Sequence, residues 1–451
     1  MDPISLGILG LVILITLIAI RIPIAYAMIL VGGVGVMILN GPLLVMSQLK
    51  TLGWGVFSNY GLSVVPMFVL MGALASRAGL SQALFRGANA WLGWMRGGTA
   101  MAAIAGCAGF GSVCGSSLAT ASTMGKVALP ELRRFKYSGA LATGTLAAGG
   151  VLGILIPPSV VLIIYALIVE ANIVTMFAAA MLPGLLAVVL FILTIAIYVT
   201  IRPEAGPRHG GVDMAEFRSA TVGLIPVMVI FGLVLGGIYG GFFNPTPAAA
   251  VGVALVWIYG LFTRTIGFGE LVESLKETAG TTGMIYLILL GAELMKIFMS
   301  RIGLPQVTAE WMVNSGFAPM TVLILLLVAL IMLGCLMDSL SMILLVIPFF
   351  WPVLLELNGG LYQGAEGAGF GMSTEELKVW FGILALIVVE LGLITPPVGM
   401  NVFVISALAK DTPMSETFKG VMPFFFAEVI RVAILLAFPA ITLWLPRLLS
   451  G

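Results

Sequence analysis

The sequence predicts an all-α polytopic membrane protein, built as an inverted-topology repeat with two re-entrant helical hairpins and two broken transmembrane helices. Three observations predict this fold class. The composition is that of a membrane protein, a proline-interrupted apolar motif occurs twice, and basic residues divide the ends of the apolar runs between two sides of a membrane.

The composition indicates many membrane crossings. Of 451 residues, 60% are hydrophobic and 9% charged, and the mean hydropathy is +1.16. A spanning helix needs about 20 mostly apolar residues, so a soluble protein is excluded. The net charge of +1 does not indicate the strongly basic surface that nucleic-acid binding requires. Residues 1–20 lack a basic start and a small-residue cleavage site, so we expect a retained first helix rather than a signal peptide.

An apolar motif with a proline pair occurs in both halves of the chain. It reads LGILIPPSV at Leu152–Val160 and LGLITPPVG at Leu391–Gly399. Proline lacks an amide donor and clashes with the preceding turn, so each copy predicts a helix broken in mid-membrane with unpaired carbonyls. A matched pair of interrupted segments in two halves is a pointer to the binding site of a transporter.

The two halves keep a nearly constant register. Pro396 lies 239 residues after Pro157, and Pro423 lies 240 residues after Pro183; we expect Pro183 and Pro423 to open the helices that follow the broken segments. An odd number of crossings between equivalent elements inverts the second half. The polar stretch 201–218, which holds the only histidine, is the predicted cytoplasmic linker, and that histidine is expected to be a solvated loop residue.

Basic residues predict which ends of the runs face the cytoplasm. The run Thr99–Met124 has Arg96 before it and Arg133 after it, so it must enter and leave from the cytoplasm as a re-entrant hairpin. By the same count the run Ala318–Leu355 enters and leaves from outside. The two hairpins should therefore point at each other, with turns near residues 111–117 and 334–341.

The predicted organisation follows from these elements. The segments are 1–60, N-terminal scaffold helices; 61–200, first-repeat transport elements with a hairpin at 98–125 and a broken helix at 138–170; 201–218, linker; 219–300, second scaffold helices; and 301–451, second-repeat transport elements with a hairpin at 318–355 and a broken helix at 377–409.

Polar chemistry concentrates at the two predicted tips. The first, GFGSVCGSSLATAST, brings hydroxyls to membrane depth, and the second, GCLMDSLSM, adds the carboxylate of Asp338. An ionisable residue at that depth is a functional-site hypothesis by default. The alternative is that Asp338 and Ser117 only cap the second arm of each hairpin.

A hairpin tip facing a broken helix forms an oxygen-lined cage that suits a dehydrated sodium ion. No imidazole or thiolate cluster indicates a transition metal. The first predicted sodium site is Ser112, Ser116 and Ser117 with carbonyls around Gly149, Gly150, Gly153 and Pro157. The second is Gly334, Asp338 and Ser339 with carbonyls around Gly392, Thr395 and Pro397.

Half-helix N-termini between the cages favour an anionic group on a substrate. Neither tip contains Arg or Lys, so anion recognition is expected to rest on hydroxyls, dipoles and bound cations. The candidate substrate contacts are Ser116, Thr120, Ser159 and Asn401. For Ser159 and Asn401 the alternative is that they only bond the loosened backbone.

Four motifs in linear order resemble a known family. GSSLATASTMGKVALPEL, GILIPPSV, MDSLSM and GLITPPVGMNVFV, in a match from about Val64 to about Phe425, are similar to the large membrane (M) subunit of tripartite ATP-independent periplasmic (TRAP) transporters. Two departures concern docking of a partner: Asn244–Gly252 lacks an acidic residue that the family often has, and 358–371 looks like a Gly-rich periplasmic insertion.

The resemblance implies an elevator-type transporter of the ion-transporter-superfamily kind in the bacterial inner membrane. It implies sodium-driven symport of an organic acid, such as a C4-dicarboxylate or sialic acid. The acid would be handed over by a soluble periplasmic binding protein (P type), and a small four-helix membrane subunit (Q type) would assemble with the chain. Two or more sodium ions at the Ser116 and Asp338 neighbourhoods, and no organic cofactor, are implied.

Two rival functions stay open to test. One is a self-sufficient sodium/anion symporter of related two-hairpin architecture that needs no binding protein. The other is an intramembrane serine hydrolase, suggested by the Gly/Ser-rich first tip; it lacks a base, since the histidine lies in a loop and no lysine is expected near Ser116 within the membrane. We therefore expect a non-enzyme.

Overall fold

A computed structural model gives the fold. It describes residues 3–20, 22–207, 214–304, 306–308, 316–359 and 366–450, and in these ranges the regular secondary structure is helical. The prediction for His209 and the middle of the predicted 358–371 insertion lie outside the described residues.

The first half contains ten described α-helices. They are α1 (Pro3–Ala19), α2 (Ile24–Asn40), α3 (Pro42–Phe57), α4 (Val64–Arg77), α5 (Leu80–Leu92), α6 (Gly98–Cys114), α7 (Ser117–Arg134), α8 (Gly139–Leu155), α9 (Val160–Ile168) and α10 (Ile173–Ile201).

The second half follows the same order of hairpin, broken helix and long helix. Its described helices are α11 (Met214–Tyr239), α12 (Pro245–Phe262), α13 (Phe268–Ile302), α14 (Pro319–Gly334), α15 (Ser339–Leu357), α16 (Thr374–Gly392), α17 (Met400–Leu408), α18 (Met414–Ala437) and α19 (Ala440–Ser450).

This helical pattern confirms the predicted fold class. Of the described helices, seven are long and apolar enough to cross a membrane, and the pair α8–α9, bent by 46° at its break, makes an eighth. The pairs α6–α7 and α14–α15 are the two hairpins, and α8–α9 and α16–α17 are the two broken helices.

Some predicted boundaries are wrong. Pro183 and Pro423 do not open their helices but lie inside α10 and α18. A membrane helix tolerates an interior proline when surrounding groups compensate the lost hydrogen bond. The carbonyl of Pro183 itself accepts a hydrogen bond from Arg431 Nη1 at 3.2 Å, which joins α10 to α18. The linker is shorter than 201–218, because α11 begins at Met214.

Packing divides the helices into two groups that meet at the hairpin tips. In one group α2 packs along α13, and α4 packs against α12 and α13. In the other, α8 packs against α6, α7 and α18, and α14 packs against α16. The chain is close enough at α8–α18 that a Cβ on Gly144 would lie 2.3 Å from the carbonyl carbon of Gly420. The division into scaffold and transport segments itself stays a prediction.

Candidate functional site

The first hairpin turns at Gly115 and Ser116. Gly115 has φ +62°, a left-handed conformation that favours glycine, and ends α6. The hydroxyl of Ser116 then accepts a hydrogen bond from the N–H of Ala119 at 3.4 Å and caps α7. The capping alternative for Ser117 is wrong, because Ser116 takes that position and the Ser117 side chain bonds elsewhere.

The second hairpin repeats this geometry with a carboxylate. Asp338 is the N-cap of α15, and its Oδ2 accepts a hydrogen bond from the N–H of Ser341 at 3.1 Å. Asp338 is half-buried and lines a cavity described below. Capping is therefore established for Asp338, while its second oxygen is left for other partners.

Both broken helices are interrupted at their proline pairs. The peptide bonds Pro157–Pro158 and Pro396–Pro397 are cis. Ser159 restarts the first helix, since its hydroxyl accepts a hydrogen bond from the N–H of Leu162 at 3.3 Å.

Each tip packs directly against the broken helix of its own repeat. A Cβ on Gly111 would lie 2.4 Å from the Cα of Gly153, and a Cβ on Gly392 would lie 2.7 Å from the Cα of Gly334. Gly153 and Gly392 are equivalent residues, since each lies four positions before its proline pair. Backbone-to-backbone contact at both sites brings the tip and the break of each repeat together.

Most residues of the first predicted sodium site come together. A Cβ on Gly150 would lie 3.1 Å from the carbonyl oxygen of Ser117, and one on Gly153 would lie 2.8 Å from that of Ser116. Gly149 instead faces the thiol of Cys107 on α6. The hydroxyl of Ser112 donates to the carbonyl of Gly109 at 2.8 Å, so it is directed into its own helix.

Residues of the second predicted sodium site also lie close together, but the side chain of Thr395 points away from the others. Gly334, Ser339 and Gly392 lie at the junction of α14, α15 and α16. The hydroxyl of Thr395 donates back to the carbonyl of Leu391 at 2.6 Å. Pro397 is the second residue of the cis proline pair, immediately after that stretch.

Sequence reasoning missed a buried acid between the two sites. Glu390 on α16 is fully buried. Its Oε1 accepts hydrogen bonds from the hydroxyl of Ser117, at 3.4 Å, and from the hydroxyl of Ser339. Its Oε2 is buried without a hydrogen-bond partner among the described residues. A single charged residue in the run between Lys378 and Lys410 is a signal that could have found it.

A cavity of about 740 Å³ lies between the tips and the α4–α13 pair. The tips contribute Ser116, Ser117, Asp338 and Ser339 to one side, and α4 and α13 form the other. This volume falls in the range of small-molecule sites, about 300–1,000 Å³.

The cavity contains basic residues that the tips themselves lack. Arg77 on α4 pairs with Glu277 on α13 at 2.9 Å. Lys126 on α7 is exposed to the cavity and, within the described part of the chain, forms no ion pair. Lys126 is ten residues from Ser116, about 15 Å along the helix, which is far beyond proton-transfer distance.

The candidate substrate contacts differ in their access to the cavity. Ser116 lines it. Thr120, Ser159 and Asn401 are fully buried. The amide nitrogen of Asn401 donates to the carbonyl of Ala147 at 3.3 Å, which joins the second broken helix to the first. Thr120 packs on Gly153, where its hydroxyl would lie 2.5 Å from an added Cβ.

A second cavity of about 550 Å³ lies beside the ends of α9 and α15 and the start of α16. It is lined by Glu170, Glu366 and Glu375 together with Lys296 and Lys378. The pKa of the Glu366 carboxyl is lowered because the backbone N–H of Thr374 donates to it at 2.6 Å. This second cavity therefore carries charges of both signs.

The comparisons with known proteins agree with this architecture. Residues 11–441 match the family model of the tripartite ATP-independent periplasmic transporter, DctM component. The chain belongs to the DctM family of TRAP transporters. It is a multi-span membrane permease of a bacterial transporter family, as its motifs predict.

The names of relatives in this family state their substrates. The chain is 32% identical over 393 residues to a C4-dicarboxylate TRAP transporter large permease protein of Pseudomonas aeruginosa, covering 87% of each chain. It is 32% identical over 408 residues to a sialic acid TRAP transporter large permease protein of Vibrio cholerae, covering 88% of each.

Solved transporters share the fold at low sequence identity. The YdaH transporter of Alcanivorax borkumensis matches with a TM-score of 0.63 and 15% identity over 88% of each chain. MtrF of Neisseria gonorrhoeae matches with a TM-score of 0.56 and 15% identity, over 88% of this chain and 85% of that one. At this identity the likeness concerns architecture alone.

Proposed function

We propose that the chain imports an organic acid anion, a C4-dicarboxylate, sialic acid or a similar carboxylate, by sodium-coupled symport. The observation that carries the proposal is the 740 Å³ cavity, which is bounded by both hairpin tips and by a wall of separate helices. A site shared by two inverted hairpins is equally related to both sides of the membrane, as alternating access requires.

Recognition of the anion is assigned to two kinds of group. Lys126 offers an unpaired ammonium to a carboxylate inside the cavity, and Arg77 adds positive charge beside Glu277. The hydroxyl of Ser116 and the N-terminal dipole of α7 add polar contacts near the tip. A relative's named substrate, dicarboxylate or sialic acid, fits this combination of positive charge and hydroxyls.

Sodium coupling is supported by the two oxygen-rich junctions. The tip carbonyl of Ser116 faces Gly153 and that of Ser117 faces Gly150. At the second tip, the half-buried carboxylate of Asp338 precedes α15. Hard oxygen ligands without thiolates or imidazoles favour an alkali or alkaline-earth cation over a transition metal. Sodium is then carried with the substrate rather than held as a permanent cofactor.

We further propose the assembly that the family name implies. A small membrane subunit would join the exposed apolar helices in the bacterial inner membrane, and a periplasmic binding protein would deliver the acid. The second cavity, which is lined by Glu170, Glu366 and Lys378 and so carries both charges, offers the binding protein a polar docking surface. The alternative is a symporter that works without the binding protein.

Transport in proteoliposomes tests these proposals. The chain with its small subunit and binding protein is expected to accumulate labelled acid under an inward sodium gradient. Equal uptake with only a proton gradient would refute sodium coupling. Uptake by the chain alone, undiminished without the binding protein, would favour the self-sufficient symporter. A hydrolytic reading has no support in the site, because Lys126 is too distant to activate Ser116.

A further inference from the structure

Glu390 joins the two hairpin tips through equivalent serines. Ser117 directly follows the cap residue of the first tip, Ser116, and Ser339 directly follows the cap residue of the second, Asp338. Both serine hydroxyls donate to the same oxygen of Glu390. One carboxylate from one repeat therefore serves both copies of the tip.

The repeat offers no second acid at this place. The residue 239 positions before Glu390 is Val151, which is fully buried on α8. Glu390 is thus a buried charged residue that the first repeat lacks at the equivalent position.

Glu390 forms no ion pair with any described residue, although the positive charge of Arg431 acts on it from a distance. The nearby buried arginine, Arg431, pairs with Glu428 instead. Oε2 of Glu390 is buried and unpartnered. An ionised carboxylate in this position is costly unless a cation approaches it, and the two predicted sodium cages flank it through Ser117 and Ser339.

The hydrogen-bond direction matters for those cages. A serine hydroxyl has one proton and two lone pairs. When its proton is given to Glu390, the lone pairs are turned away from the carboxylate and are available to a cation. This is how outer-shell carboxylates orient ligands in metal sites, where their loss typically costs 10- to 100-fold in metal affinity.

We propose that Glu390 is a positioning residue shared by both predicted sodium sites: it orients the hydroxyls of Ser117 and Ser339 and supplies negative charge to the two cages together. This inference rests on the sodium coupling proposed above. It assigns Glu390 a role distinct from that of Asp338, which belongs to one tip alone.

Sodium-dependent stabilisation of the purified full chain tests the proposal without transport. Thermal unfolding is measured while sodium replaces choline at constant ionic strength, since a ligand that binds only the folded state raises its stability with concentration. Glu390→Gln keeps an acceptor oxygen and removes the charge. The sodium concentration for half-maximal stabilisation is expected to rise by roughly tenfold or more.

Glu428→Gln is the matched control. It removes another fully buried carboxylate, the partner of Arg431. It should lower the unfolding temperature without sodium yet leave the half-maximal sodium concentration at the wild-type value.

Serine variants test whether the role is shared. Ser117→Ala and Ser339→Ala should each weaken sodium stabilisation, and Glu390→Gln should weaken it further in either single variant. In the Ser117→Ala/Ser339→Ala background, Glu390→Gln should have a smaller effect than in the wild-type chain, because it then removes only a charge and no longer releases oriented hydroxyls. If Glu390→Gln does not fold, Glu390→Asp, whose shorter side chain withdraws from both serines, is expected to show the same shift.

The possible outcomes separate the two proposals. A wild-type chain that sodium does not stabilise overturns sodium coupling and this inference together. A wild-type chain that sodium stabilises, with an unchanged half-maximal concentration in the Glu390 variants, overturns only the role of Glu390. If Glu390→Gln changes the half-maximal sodium concentration in only one of the two single-serine variants, Glu390 belongs to one site, which contradicts the shared role.

Discussion

At the scale of single residues, Asp338 both caps a helix and presents an oxygen to the cavity. Asp338→Asn keeps an acceptor for the N–H of Ser341 and so should preserve the hairpin. Because a carboxylate binds a hard cation more tightly than an amide does, we expect the sodium concentration for half-maximal uptake to rise by roughly tenfold. Uptake at varied external sodium measures it.

Asp411→Asn is the comparison for that variant. Asp411 is an exposed partner of Arg133, away from the cages. Its loss should leave the sodium requirement unchanged, since exposed ion pairs contribute little. An Asp338→Asn chain with wild-type sodium dependence would reduce Asp338 to a helix cap.

Lys126 is expected to set substrate affinity rather than turnover. Lys126→Gln removes a cavity cation that forms no ion pair with any residue the structure describes, and hydrogen bonds to charged groups are worth about 1.5–3 kcal/mol. KM for the acid should therefore rise about ten- to hundredfold, with a smaller change in kcat, in initial-rate uptake.

A lysine outside the cavity controls for the change in charge. Lys276 forms a surface ion pair with Glu273 at 2.9 Å, and Lys276→Gln should leave KM within about twofold of wild type. Equal KM values for the two variants would contradict a role for Lys126 in binding.

Sequence reasoning found the tip residues better than their partners. The polar residues of both tips, Ser116, Ser117, Asp338 and Ser339, lie within five residues of a glycine in apolar runs, so their local signal is strong. Glu390 contacts the first tip through Ser117, 273 residues away in the chain. Contacts of that separation depend on how helices pack, which one sequence does not reveal by local pattern.

At the scale of secondary-structure elements, the second tip and its broken helix touch by backbone. A Cβ on Gly392 would lie 2.5 Å from the carbonyl carbon of Gly334 and 2.9 Å from the N of Cys335. The atoms that the added Cβ would meet belong to the backbone, which cannot move aside as a flexible side chain would. Gly392→Ala should therefore destabilise the fold by about 1–3 kcal/mol, the usual cost of overpacking, and lower the thermal unfolding temperature in detergent.

Gly283→Ala gives the opposite expectation in another helix. Gly283 lies in α13, and an added Cβ there would meet no described atom within 4 Å. Alanine has the higher helix propensity, so stability should be unchanged or increase by up to about 1 kcal/mol. A Gly392→Ala chain as stable as Gly283→Ala would show that the tip can move away from the break.

Elements were predictable where proline and charge interrupt hydrophobicity. The hairpins and broken helices follow from the two proline pairs and from Arg96 and Arg133. The helix boundaries were not predictable in this way. Pro183 lies inside α10, because Asn172, eleven residues earlier, already caps that helix and its side-chain oxygen accepts a hydrogen bond from the N–H of Val174 at 2.8 Å.

At the scale of the whole molecule, the two packed groups suggest a relative movement. Helix α4, which falls in the predicted transport segment 61–200, packs mainly with α12 and α13 and also contacts α6 and α9. Both hairpins and both broken helices pack with one another. The cavity lies between these groups. If the second group is carried as a unit, contacts inside it persist and contacts with α4 change during transport, which is an elevator mechanism; otherwise the tips themselves open.

Two cysteine pairs distinguish these mechanisms in a chain whose Cys107, Cys114 and Cys335 are replaced. The first pair, Gly61→Cys with Leu167→Cys, joins the turn just before α4 to α9, where a Cβ on Gly61 would lie 3.4 Å from the Leu167 side chain. The second, Gly125→Cys with Leu408→Cys, joins α7 to α17, where a Cβ on Gly125 would lie 2.8 Å from the Leu408 side chain.

Cross-linking the first pair should stop sodium-driven uptake, because it ties the moving group to α4 at a point away from the cavity. Cross-linking the second pair should leave uptake near that of the reduced protein, because it joins two elements that move together. Uptake is compared before and after oxidation and again after reduction, with each single-cysteine chain as the control. Loss of transport by the second link with a harmless first link would contradict the elevator and favour opening of the hairpins.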